Sequence, residues 1–324
     1  MDKRSCFAAA ALMLALAWLP GQASQAAAPR IVYLTAKLDL PFWATMGRGI
    51  RSVVQAQGYA YEELDSRLDP QLQLHHAREL IAQGVAGIII SPTDSASAPA
   101  VLKLAQQAHV PVVIADIGTQ GGEYLSYVKS DNYRGAYDVG ATLAAAMKER
   151  GWQASPYALI TISLARKNGQ DRTNGFRDAM REAGVGQEAG LRQMRDYSAA
   201  ETRGYVTELL AATPQLRALF IQTDQPVDGA LQALQAMRPP RKPGELLLAS
   251  FDAMPEVEAL LRSGTLVAVG MQQPYLMGGR AAEALLMGLR GERPPKQILV
   301  PIMVGTGKNI HELMPLVNKN VFGR

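Results

Sequence analysis

Pro111-Val112-Val113-Ile114-Ala115-Asp116 is an unbroken apolar run that ends on a single carboxylate. A run of this kind, without polar alternation, is a strand buried on both faces, as in a parallel sheet covered by helices. Leu246-Leu247-Leu248-Ala249-Ser250-Phe251-Asp252 repeats the design in the other half of the chain and again closes on an aspartate. Two acids on two strand tips, with no catalytic motif beside them, suit a cleft that grips hydroxyl groups rather than one that breaks bonds.

Outward from Asp116 the same unit recurs. The pattern predicts strands at Ile31–Leu34, Ala60–Leu64 and Ala86–Ile90. Between them lie helices over Phe42–Ala56, Pro70–Ala82 (Asp69 as N-cap) and Ala98–Ala108. From about Asn132 a second series begins. Its strands are expected at 158–162, 191–194, 218–221, 246–251, 266–270 and 298–304, and its helices at 132–150, 171–183, 201–211, 227–237 and 277–289. A proline-rich turn spans Pro239–Pro243. Such alternation is α/β, built from right-handed βαβ units. Ligands of these sheets sit outside the carboxyl ends of the strands, so the strand tips are where function is sought.

The 324 residues suffice for two ordinary domains. The first 28 are a different kind of segment. Lys3 and Arg4 form a short basic region, Cys6–Leu19 an apolar stretch, and Pro20-Gly21 break it before a small-residue run. This is a cleavable export signal, with Ser24-Gln25-Ala26 the expected cleavage site and Ala28 the alternative; the apolar stretch is too short to span a bilayer. Cys6 is the one cysteine and leaves with the signal, so the mature chain has no thiol, as suits an oxidising periplasm. No later stretch has the apolar length of a membrane span, and a soluble protein is expected. Net charge is +4, but basic residues alternate with acids, as in Lys148-Glu149-Arg150 and Arg181-Glu182. That is a solvated helix surface and argues against nucleic acid as a partner.

Catalytic and cofactor signatures are missing. His75 and His76 are adjacent rather than four apart, so they do not form a zinc pair, and no metal site is expected. No G-x-S-x-G or strand-borne G-x-G-x-x-G occurs, and Gly305-Thr306-Gly307-Lys308-Asn309 departs from phosphate-loop spacing at both ends. What does converge at the predicted strand tips is Asp116, Asp252, Gln272 and Thr223-Asp224, with Arg172 at a helix start and Phe42-Trp43 in the first strand–helix loop. Each has a plainer role open to it: helix or turn capping for the aspartates, a core anchor for the aromatics. Together they match a polyol. Carboxylates accept from neighbouring hydroxyls, a guanidinium donates in a fork, and aromatic faces cover C–H faces. A glycosidase acid pair would use similar parts, given two carboxylates poised over one bond.

These stretches together resemble the periplasmic sugar-binding proteins of the ribose-binding type, which share their fold with the ligand-binding cores of LacI-type repressors. The resemblance runs from about Ile31 to Val304. It is carried by Pro41-Phe42-Trp43, Ile90-Ser91-Pro92-Thr93-Asp94-Ser95, Val128-Lys129-Ser130-Asp131-Asn132, Asp171-Arg172-Thr173-Asn174-Gly175-Phe176, Phe220-Ile221-Gln222-Thr223-Asp224 and Ser250-Phe251-Asp252. It implies two doubly wound parallel-sheet lobes joined by a three-crossover hinge, the type I periplasmic binding protein fold. The lobes would be 29–131 with 273–301, and 132–272 with 302–324. It further implies Phe42 and Trp43 as aromatic cover for a sugar, and Asp116, Arg172, Thr223, Asp252 and Gln272 as its polar contacts. Ribose binders carry Asn where Leu40 stands, Arg where Ile117 stands and Asn where Thr223 stands, which points to a deoxy sugar, a less oxygenated polyol or a related small solute. A signal segment replaces the repressors' DNA-binding helices. The implied partner is an ABC permease, or alternatively a membrane sensor kinase or chemoreceptor, served by a monomer without catalytic activity or cofactor. Residues 309–324 run past the last predicted strand, with either a short helix across the lobes over Ile310–Val317 or a partly ordered end expected.

Overall fold

The computed structural model describes residues 28–242 and 244–324. Residues 1–27 of the export signal and Pro243 therefore lie outside the described residues. The first half of the chain gives β1 (Arg30–Thr35), α1 (Pro41–Ala56), β2 (Ala60–Asp65), α2 (Pro70–Ala82), β3 (Gly87–Ile90), α3 (Ala98–Gln107), β4 (Val112–Ala115) and β5 (Ser126–Ser130). The second gives α4 (Asn132–Glu149), β6 (Tyr157–Thr161), α5 (Lys167–Glu182), β7 (Glu188–Gln193), α6 (Ala199–Ala212), β8 (Ala218–Ile221), α7 (Val227–Ala236), β9 (Leu247–Phe251), α8 (Val257–Arg262) and β10 (Ala268–Met271). Then come α9 (Pro274–Leu289), β11 (Gln297–Val300), β12 (Met303–Gly305) and α10 (Ile310–Leu316), which runs into a π-type turn at Val317–Val321.

Two six-stranded sheets result, β2-β1-β3-β4-β5-β11 and β7-β6-β8-β9-β10-β12, with the same strand order in each lobe. All neighbours are parallel except β12, which runs antiparallel to β10. The apolar runs behave as their composition dictates. β3, β4, β6, β8, β9 and β10 are buried along their whole length, with an apolar layer on each side of each sheet. The chain crosses between lobes near Asp131, after β10, and between β11 and β12. α9 therefore packs on the first sheet although β10 belongs to the second.

Two glycines set the helix pairs that flank the cleft. A β-carbon on Gly175 of α5 would overlap the Tyr133 carbonyl of α4, and one on Gly49 of α1 would overlap the Tyr275 carbonyl of α9. Only glycine permits backbones to approach so closely.

Four elements differ from the sequence pattern. The stretch 298–304 is two strands in two sheets rather than one, because Pro301 has no N–H to continue a ladder. β5 alternates buried and half-buried residues and carries Ser126, Lys129 and Ser130, so no apolar run announces it. The six-residue α8 is too short to show a period. α5 begins at Lys167 rather than Asp171, since the polar Lys167-Asn168-Gly169-Gln170 gives no apolar signal.

Candidate functional site

The strand tips of both sheets open onto one cleft of about 810 Å³, within the usual range for small-molecule sites. Phe42, Trp43, Asp116, Arg172, Thr223, Asp252 and Gln272, the seven residues singled out from sequence, all line it.

The two strand-tip acids share a backbone peculiarity. Asp116 has φ +69° and Asp252 φ +63°, the left-handed region that aspartate tolerates better than most residues and that recurs at functional sites. Asp116 is held there from both sides. Its N–H donates to the Val128 carbonyl (2.9 Å), and its own carbonyl accepts from the Tyr127 hydroxyl (2.8 Å). Its side chain is 4% exposed and accepts from Trp43 Nε1–H at 3.1 Å. Burial lifts its carboxyl to about 6. The Asp252 charge pushes the same way, while Arg172, Arg166 and the Trp43 bond oppose the rise.

Asp252 sits in a fuller network. It accepts from Gln272 Nε2 (2.7 Å), Arg172 Nη1 (3.2 Å) and Thr223 Oγ1 (3.4 Å). Arg172 is 2% exposed, donates also to Asn132 Oδ1 (2.8 Å) and the Gln222 carbonyl (2.6 Å), and lies 4.0 Å over the Phe251 ring. Asn132 opens α4 just past the first crossover, so this guanidinium ties the cleft to the hinge. Gln272 Oε1 is buried without a hydrogen-bond partner among the described residues. Its amide nitrogen is committed to Asp252, so that oxygen is the side chain's remaining acceptor. Asp224 is also lifted to about 6, by burial first and by the Asp252 charge second.

Trp43 and Phe42 meet edge to face, ring centroids 6.1 Å apart at 83°. Trp43 is both core and site: it is 6% exposed, packs with Ile31, Tyr33 and Ile117, and still reaches Asp116. Of the three positions that depart from the ribose-binding pattern, Leu40 lines the cleft. Ile117 turns into the core at 1% exposure, and the Thr223 hydroxyl is occupied by Asp224 (3.2 Å) and Asp252. The cations that act on Asp116 belong to the other lobe, Arg172 first and Arg166 second. Arg166 lines the cleft, crosses to the Thr93 carbonyl (3.4 Å) and favours the ionised form of Asp116.

Sequence reasoning missed Arg166, Tyr197 and the segment Val321–Arg324 as cleft lining. Arg166 and Tyr197 follow β6 and β7, so the strand-tip rule applied to every strand would have flagged both. Tyr197 shares the left-handed backbone, with φ +63°.

Two similar α/β lobes, a hinge of three crossovers and a polar cleft between strand tips define a two-lobed clamp for a small solute. The chain belongs to the periplasmic binding protein domain family, whose model matches residues 31–293. It is 28% identical over 263 residues to the ribose import binding protein RbsB of Escherichia coli K12, covering 81% of this chain and 86% of that one. It is 26% identical over 310 residues to the D-ribose/D-allose-binding protein of Pseudomonas aeruginosa, with 90% and 92% covered. Among solved structures, a carbohydrate transporter solute-binding protein from Agrobacterium radiobacter, in complex with D-arabinose, superposes with a TM-score of 0.81 at 21% identity, covering 91% of this chain and 99% of that one.

Proposed function

We propose that this chain is a periplasmic solute-binding protein that captures one small sugar or polyol between its lobes and delivers it to an ABC importer. The observation that carries the reading is the convergence in one cleft of a carboxylate from each sheet, the buried Arg172, the unpartnered Gln272 Oε1 and an aromatic pair. Asp116 and Asp252 accept from ligand hydroxyls, Gln272 Oε1 accepts another, Arg166 donates from the opposite lobe, and Phe42 and Trp43 cover apolar faces of the ring.

The lobes on this reading are 29–131 with 273–301, and 132–272 with 302–324. Export and loss of 1–28 deliver a monomer to the periplasm; among the described residues no helix is long and apolar enough to cross a membrane. The relatives, named for ribose and for ribose or allose, support a monosaccharide. With Leu40 apolar and Thr223 occupied by its neighbours, a sugar with one hydroxyl fewer than ribose, or a less oxygenated polyol, fits better. Calorimetric titration of the mature chain with deoxypentoses, pentoses, hexoses and inositols tests this. The expected result is one site per chain together with a fall in radius of gyration as the lobes close. Heat without compaction, or compaction with amino acids alone, overturns it.

A further inference from the structure

The segment after α10 belongs to neither sheet, yet it reaches both lobes and the cleft. Val317 (0% exposed) and Val321 (8%) are buried in the second-lobe core, and Phe322 packs against the same cluster. Asn320 Nδ2 donates to Gln273 Oε1 (2.8 Å), and Gln273 Nε2 donates to the Pro301 carbonyl (2.8 Å). One residue of the segment is thereby linked to two of the three crossovers. On the first lobe, Arg48 Nη2 of α1 donates to the Phe322 carbonyl at 2.8 Å.

The segment is shaped for this course. A π-type bond from Phe322 N–H to the Val317 carbonyl (3.0 Å) and a wider one from Arg324 N–H to the Asn318 carbonyl (2.9 Å) wrap it around Gly323. Gly323 has φ +65°, and a β-carbon there would lie 3.2 Å from each of Arg48 Nη2, Thr45 Cγ2 and Tyr275 Cδ2, all first-lobe atoms. Glycine suits the left-handed turn, and any larger residue would push these three side chains back by a few tenths of an ångström. Past that point Phe322, Gly323 and Arg324 line the cleft itself.

We infer that residues 317–324 form a strap, a third component of the binding apparatus. It rides on the second lobe, walls the cleft with Phe322 and Arg324, and latches to the first lobe through Arg48 and Gly323. Lobe opening must break or stretch that latch, because its two ends are fixed to different lobes. The strap therefore sets both how readily the clamp closes and how large a ligand fits. The inference rests on the cleft being the ligand site, but its latch is testable with no ligand present.

The test compares the mature chain, a chain ending at Val321, and Gly323→Val. The shortened chain keeps Val317, Val321 and Asn320 but loses Phe322 from the second-lobe packing, which Gly323→Val retains. Spin labels on exposed positions of α2 and α6 report the interlobe distance in the unliganded proteins, and the sugar panel reports affinity. Both variants are expected to shift the distance distribution towards open forms. They should also weaken the best ligand of the parent chain by about tenfold or more, with larger sugars gaining relative to it. Unchanged distances together with unchanged affinities overturn the strap. A parent chain that answers to no sugar refutes the sugar reading instead, and the distance comparison still decides the latch.

Discussion

Replacing Asp116 by asparagine should stabilise the empty protein while crippling its binding. Asparagine keeps the shape of the side chain and tolerates the left-handed backbone at φ +69°. It can still accept from Trp43 Nε1, so the substitution removes little besides the charge. In the empty cleft that charge is costly, because burial lifts the Asp116 carboxyl from 3.8 to about 6. The shift corresponds to about 3 kcal/mol at neutral pH. The sign follows from proton binding. A carboxyl raised in the folded state holds its proton more tightly there, so its stability contribution is complete below about pH 4 and is lost as pH rises through about 6. Denaturant unfolding of parent and Asp116→Asn should therefore agree near pH 4 and diverge to about 3 kcal/mol in favour of the variant at pH 7. The variant should bind the preferred sugar ten- to a hundredfold more weakly, the worth of a charge-assisted hydrogen bond of about 1.5–3 kcal/mol. A variant less stable than its parent at pH 7, or a stability gap independent of pH, would refute the reasoning. It would show that the carboxylate is fully compensated without ligand.

A ligand hydroxyl donates to the ionised Asp116 carboxylate, so affinity for the preferred sugar should rise as pH increases through about 6; titrations at pH 5 and 7.5 check this, and Asp116→Asn should flatten the dependence. Arg172→Ala should abolish binding and also lower stability, by about 3–5 kcal/mol, because it strips Asp252 of its counter-charge and leaves Asn132 Oδ1 and the Gln222 carbonyl without their donor. Thermal unfolding measures that loss, and Arg172→Lys should recover part of it. Ligand should change the tryptophan fluorescence through Trp43, which touches Asp116. Trp43→Phe should erase the change, since Trp152 lies between Arg150 and Arg217 and away from the cleft lining.

The legible parts of the molecule were those in which one physical requirement dominates several consecutive residues. Strands buried on both faces must be apolar throughout, and Val112–Ala115 and Leu247–Phe251 could be read as such. The tip rule then led to Asp116, Asp252 and Gln272. β5 was hidden because its half-buried positions carry Tyr127 and Lys129 and its buried ones include two serines. The split at Pro301 was hidden because an apolar run continues across it while the chain changes sheets. Arg166 and Tyr197 sit on the loops after β6 and β7, where no periodicity marks a residue and only the strand-tip rule points to them. The course of Val317–Arg324 depends on tertiary contacts with Arg48, Gln273 and the second-lobe core, and local sequence encodes none of these.

Thermal-shift screening of the mature chain against sugars, polyols, amino acids and amines tests the central claim most directly. A clamp built on two strand-tip carboxylates for hydroxyl recognition predicts a rise of several degrees with at least one sugar or polyol, and no response to amino acids or amines. A flat response across every sugar and polyol, with a clear shift from an amino acid or an amine, would contradict it.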